Sequence, residues 1–238
     1  MSYGFKSTNS DGITQIDGDN DNIAIFATGT AIAEAHTGNN ITSVPYPANL
    51  PTAHLIFAKP SDPAAATNIP FSLVPRSTYF QFMLPLNYTD SISIDWAIGV
   101  KHSDMPATST PDWGIKVFNS TGGVAFSSNS QNFRCQQVVF ETISNLWLGS
   151  NTEFTVNDLA STYTLMSGHS GVGYDYAGFL RMLHALCAVY DSTEGFNATD
   201  GVIKYWTMEQ RPIGITMVGG QSSSFGSGDI THLIGSIV

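Results

Sequence analysis

Residues 3–13 read YGFKSTNSDGI and residues 113–123 read WGIKVFNSTGG, nearly the same wording 110 residues apart. The copies align without gaps. Gly4, Lys6, Asn9, Ser10 and Gly12 fall on Gly114, Lys116, Asn119, Ser120 and Gly122; Tyr3 falls on Trp113, Phe5 on Ile115 and Ile16 on Phe126. The Asn-Ser-x-Gly step has a physical meaning: an Asn side chain caps its own backbone, and Gly supplies the positive φ that closes a hairpin. A polar loop follows each return strand (DGDNDN, 17–22, and SSNSQN, 127–132), and then a third strand begins (IAIF and FRCQQVVF). The unit is a three-stranded meander used twice. Shared descent and convergence on a good hairpin both produce such a pair.

The rest of the chain carries the same period. Short alternating or apolar runs separated by turn clusters predict strands at 3–8, 13–17, 23–27, 53–58, 78–84, 91–100, 114–118, 123–127, 133–143, 203–209, 213–218 and 230–237. In SISIDWAIGV, Ile92, Ile94, Trp96, Ile98 and Val100 share one face, and Ser93, Asp95, Ala97 and Gly99 the other. Trp96 and Trp206 are expected to be buried in strands. Prolines crowd residues 45–75, which reads as extended connection, because proline and its predecessor both avoid helix. GGQSSSFGSGD (219–229) reads as a flexible loop before a closing apolar strand. One segment points elsewhere: YAGFLRMLHALCAVY (176–190) is rich in Leu, Met and Ala, and is predicted as one short helix with Phe179, Leu183, Leu186 and Tyr190 on one side, the alternative being a doubly buried strand pair. The expected fold is mainly β, a β-sandwich or jelly-roll-like unit with two related hairpin modules. It is read as a single unit over 1–238 with related halves 1–105 and 106–238.

Charged residues make up 12% of the chain, against about 25% in ordinary soluble domains. The polar surface is therefore Ser, Thr, Asn, Gln and Gly, a composition common on extracellular and virion β proteins. Nine scattered basic residues and a formal charge of −10 offer no positive footprint for phosphates, so no nucleic-acid partner is expected. No run approaches the roughly 20 apolar residues of a membrane span, and MSYGFKSTNSDG lacks the basic start and apolar run of a leader. Cys135 and Cys187 do not have metal-ligand spacing and read as buried thiols, with pairing left open. The sequons at Asn40, Asn87, Asn119 and Asn197 are no more than an Asn/Thr-rich chain produces, and are read as unmodified.

The opening Met1, Tyr3, Gly4, Phe5, Asn9, Gly12, Ile16, Asp17 resembles that of small structural proteins of tailed bacteriophages, which begin Met-x-Tyr-Gly-apolar, continue to Asn-x-x-Gly, and go on to an apolar strand and an Asp or Ser pair. WGIKVFNSTGGVAFSS, ending Phe126, Ser127, Ser128, is closer still to that wording. The resemblance covers the hairpin copies alone and carries no catalytic residues. It implies a virion component of the tail tip or tail fibre, assembled in the host cytoplasm and released by lysis. It also implies other virion tail proteins as partners and a homo-oligomer, trimer first. The alternative is a carbohydrate-binding module recognising a bacterial surface glycan, a partner the tail reading can share.

Chemistry is weighed residue by residue. Asp17, Asp19 and Asp21 have a calcium-loop spacing, but the EF-hand form wants Gly at 22 and Glu at 28, where Asn22 and Thr28 stand. An acidic hairpin loop is the favoured reading, with a cation site of another type left open. SGHSGVG (167–173) would need Gly where Val172 stands to make a nucleophile elbow around Ser170. His36, His54, His102 and His184 have no triad or metal context. An enzyme is not expected, and no catalytic, cofactor-binding or metal residue is assigned.

Overall fold

The computed structural model of the chain describes residues 6–8, 14–17, 21–34, 42–84, 88, 90–106, 114–143, 151–166, 173–177, 180–192, 201–215 and 228–238. Among them the only helical element is a 3₁₀ turn, His102–Asp104; the rest of the regular structure is antiparallel strand. Two hairpins stand apart from the main sheets: β1 (Lys6–Thr8) with β2 (Thr14–Asp17), and β9 (Lys116–Phe118) with β10 (Val124–Ser127). Their registers match pair for pair. Lys6–Asp17, Ser7–Ile16 and Thr8–Thr14 become Lys116–Ser127, Val117–Phe126 and Phe118–Val124, with the irregularity at the same step. Each hairpin leads into an 11-residue strand, β3 (Ile23–Ala33) or β11 (Phe133–Ile143). Each long strand carries one bulge, at Phe26 and at Gln136, opposite the same dipeptide on its partner: Ile98-Gly99 on β8 (Ile92–Lys101), Ile234-Gly235 on β17 (Gly228–Ile237).

The larger sheet runs β11-β17-β13-β5-β8-β3, with β5 spanning His54–Pro60 and β13 Tyr163–Leu165. Its order is a palindrome, β3-β8-β5 facing β11-β17-β13 across the Phe57–Leu165 and Ala58–Thr164 pairs. The second layer holds β4-β7-β6 (Ser43–Pro45, Tyr79–Met83, Ser72–Pro75) and β12-β16-β15-β14 (Asn151–Val156, Gly201–Ile215, Leu180–Asp191, Gly173–Ala177). Phe71 and Ala188 join the two groups, each amide donating to the other's carbonyl at 2.9 Å. The chain changes layer between β3 and β4, β4 and β5, β5 and β6, and β7 and β8, the jelly-roll habit. Between the layers lies one core containing Ile56, Phe71, Phe80, Phe82, Ile94, Trp96, Ile98, Phe154, Met166, Tyr190, Ile203 and Ile234. Tyr190 ties the layers together, its hydroxyl donating to the Thr162 carbonyl at 2.8 Å, with that of Ala58 at 3.2 Å.

The larger sheet also rolls. Ala24 bridges Asn132 and the Ile25 amide donates to the Gln131 carbonyl at 2.8 Å, so the beginnings of β3 and β11, at opposite edges of the sheet, meet. Rolling encloses a second apolar cluster of Ile25, Phe57, Ala97, Phe133 and Leu165. Phe57 and Phe133 stack with centroids 4.0 Å apart, although their strands stand three places apart in the sheet. Gly99 and Gly235 make room for this: a Cβ on Gly99 would meet Ile23 and Phe57, and one on Gly235 would meet Phe133 and the Arg134 carbonyl.

The helix expected over 176–190 is not formed. Tyr176 and Ala177 of the segment end β14, and Leu180 to Tyr190 make up β15 but for its last residue; β15 pairs with β16 along its full length. Ala188, Val189 and Tyr190 are consecutive and all fully buried. A strand covered on both faces is apolar at every position, and that pattern cannot be told from a buried helix by periodicity. The segments 203–209 and 213–218 are likewise joined, residues 201–215 forming β16. It runs through Pro212 beyond Trp206, where pairing with β12 has ended and a missing N–H costs little. Prolines end β4, β5 and β6.

Candidate functional site

The β9–β10 hairpin is the repeat unit whose side chains are best described. Asn119 organises its turn as the Asn-Ser-x-Gly wording requires. Its side-chain oxygen accepts from the Gly123 amide at 2.8 Å and the Thr121 amide at 3.2 Å, and Gly122 sits at φ +83°. The hairpin docks against the rim of the rolled sheet on the other half of the chain. The Asn22 amide donates to the Ala125 carbonyl at 3.0 Å. Asp21 accepts from Asn119 Nδ2 at 3.1 Å and from Ser103 Oγ at 2.5 Å. Two apolar side chains of the hairpin face outward, Ile115 just before β9 at 66% exposed and Phe118 at its end at 57%, with Lys116 exposed between them.

His102 lies at this seat. Its residue is 7% exposed, and among the described residues neither ring nitrogen is hydrogen-bonded to another residue. Burial pushes its pKa down and Lys116 adds to that; a backbone hydrogen bond and the Asp21 charge act against the fall without cancelling it.

A polar row crosses the larger sheet on the face away from the interlayer core. Lys59 Nζ donates to Asp95 Oδ2 at 2.9 Å, Ser61 Oγ and Thr30 Oγ1 donate to Asp95 Oδ1 at 2.6 and 3.0 Å, and Lys59 lies 5.4 Å over the Tyr163 ring. Burial alone would raise the Asp95 carboxyl. The hydrogen bonds from Ser61, Lys59 and Thr30, with the Lys59 charge, outweigh it and hold the group below the usual carboxylate value. Burial, with Asp95 nearby, raises the Tyr163 phenol. In the other layer, buried Lys204 pairs with Asp191 at 3.1 Å and with Glu153 at 3.8 Å. These are structural ion pairs, each lysine within reach of a carboxylate, and Ser61 spends its proton on Asp95.

Among the described residues, those considered for chemistry do not converge. Of the three aspartates, Asp21 is committed to Ser103 and Asn119, while Asp19 and the Asp17 side chain lie outside the described residues. So do His36, Ser170 and the side chains of His184, Trp206 and Cys187. His54 Nδ1 is 3.0 Å from the Pro51 carbonyl and its ring packs edge-on to Tyr46. Trp96 is buried. The Cys135 thiol donates to the Gln137 carbonyl at 3.6 Å, and burial raises its pKa to about 11. Among the described residues no group of three His, Cys, Asp or Glu could hold a metal ion, and no helix is long and apolar enough to cross a membrane.

The sequence reading did not pick out Lys59, Asp95 or the seat of His102. A signal existed for the first two: Lys59 is the one Lys, Arg, Asp or Glu in HLIFAKP, and Asp95, of opposite sign, is the one charge inside ISIDWAIGVK, whose other charge is the terminal Lys101. Nothing local marks His102, whose burial comes from a hairpin that follows it in the chain.

No protein-family model matches this chain, nor does any curated protein or solved structure.

Proposed function

We propose that this chain is a structural component of a bacteriophage virion, a part of the tail tip or tail fibre that works in assembly and host-surface contact as a homo-oligomer, with three copies favoured. The single observation that carries the reading is the duplicated hairpin. Its wording resembles that of tailed-phage structural proteins, and its second copy presents Ile115 and Phe118 outward on a two-stranded hairpin. Exposed apolar side chains on a rigid hairpin favour contact with another protein surface. Among the described residues the buried lysines Lys59 and Lys204 are paired with Asp95 and Asp191.

The test is immunogold labelling of purified particles from the source culture with antibody to this chain. Gold at one end of the tail is expected. Particles without label, with the chain recovered free of them and binding on a bacterial glycan array, would overturn the reading in favour of the carbohydrate-binding alternative.

A further inference from the structure

We propose that His102 is an acid-sensitive latch: as a neutral imidazole it lets the β9–β10 hairpin close over the sheet rim, and its protonation releases the hairpin. The geometry carries this. The 3₁₀ turn His102–Asp104 packs against β10, and His102 is buried there with neither ring nitrogen hydrogen-bonded to another described residue. The bonds that join the two faces of the seat include Asn22 amide to Ala125 carbonyl, Asn22 Nδ2 to the same oxygen at 3.3 Å, and Asn119 to Asp21.

Of the charged groups around the ring, Asp21 on the segment before β3 favours an imidazolium, although its two oxygens already accept from Asn119 and Ser103. Lys116 on β9 is a like charge and opposes it. The turn itself brings Asp104, the end of β8 brings exposed Lys101, and β10 (Val124, Ala125, Phe126, Ser127) brings no charge. Burial outweighs the favourable contacts, so a proton on His102 would sit desolvated while the hairpin is down, and hydrated when it is up. The docked state is thus the one that resists the proton. Docking is fully favoured above the ordinary histidine value of about 6.5. It weakens as the pH falls below that value toward the lower docked one.

The experiment is amide exchange of the full chain between pH 7.5 and 5, corrected for the intrinsic pH dependence of exchange, read at Asn22, with Phe57 and Ile98 as controls in the sheet. Protection of the Asn22 amide is expected to fall on acidification, while the controls hold. In His102→Gln, which stays neutral, the fall is expected to vanish. Should that variant lose protection at the controls, an NMR titration of the wild-type His102 ring replaces it, and its midpoint is expected to coincide with the loss at Asn22. Unchanged Asn22 protection in the wild type, a fall that persists in a folded His102→Gln, or a ring midpoint away from the loss would each overturn the proposal.

Discussion

At the scale of single residues, two kinds of position hold the molecule to one arrangement. Glycine at the roll is the first. A Cβ on Gly235 would stand 2.2 Å from the Arg134 carbonyl, and one on Gly99 would stand 2.5 Å from an Ile23 methyl and 2.9 Å from the Phe57 ring. A backbone oxygen in a ladder yields less than a side chain, so Gly235→Ala is expected to cost about 3 kcal/mol and Gly99→Ala about 1–2 kcal/mol; chemical denaturation of the two variants measures the order. The lone opposite charges are the second. Asp95→Asn leaves Lys59 nearly buried without a counter-ion, whereas Lys59→Met leaves Asp95 with Ser61 and Thr30 as donors. The first is expected to cost about 2–3 kcal/mol, less than a fully buried pair because Asp95 keeps some exposure, and the second less than that. The pH dependence has a definite sign. Asp95 titrates below its ordinary value in the folded chain, so its contribution is present above about pH 4 and is lost as the pH falls through the lowered value. Stability curves of wild type and Asp95→Asn are expected to converge on acidification, and parallel curves would contradict the assignment.

At the scale of elements, what the sequence made legible was what local chemistry dictates. The two hairpins are written in turn residues, and β8 is written in strict alternation, with Ile92, Ile94, Trp96, Ile98 and Val100 all in the interlayer core. The short strands β4, β6 and β13 were not legible, since three or four residues carry no period and their pairing comes from distant neighbours. β15 was misread for the opposite reason: its composition favours helix, and pairing with β16 along its length overrides propensity. Far-UV circular dichroism should therefore show a single strand-type minimum near about 217 nm with no helical shoulder, since a helix of the expected length would add one. The matching bulges were hidden by loop length. Gly99 and Gly235 stand 136 residues apart, while the hairpins stand 110 apart, so one alignment shift cannot show both. Of the candidate site, the outward apolar residues of the β9–β10 hairpin were present in the repeat; the seat of His102 was not, because it is made by a contact between halves.

At the scale of the whole molecule, the strands divide into two sets that share both layers and both apolar clusters. The interlayer core takes side chains from β3 through β17, and the cluster inside the roll joins Phe57 to Phe133. Neither set can bury its own apolar face without the other, so the chain is expected to melt in one transition, with equal calorimetric and van't Hoff enthalpies. Two resolved transitions would mean that the sets fold independently. The β9–β10 hairpin, with Ile115 and Phe118 exposed, is where a second copy of the chain is proposed to dock. The most direct test of that docking is the mass of the purified chain in solution by light scattering over a range of concentrations. The account predicts a stable multiple of 25.5 kDa, with three copies expected from the virion resemblance. A mass of one chain at every concentration would contradict it.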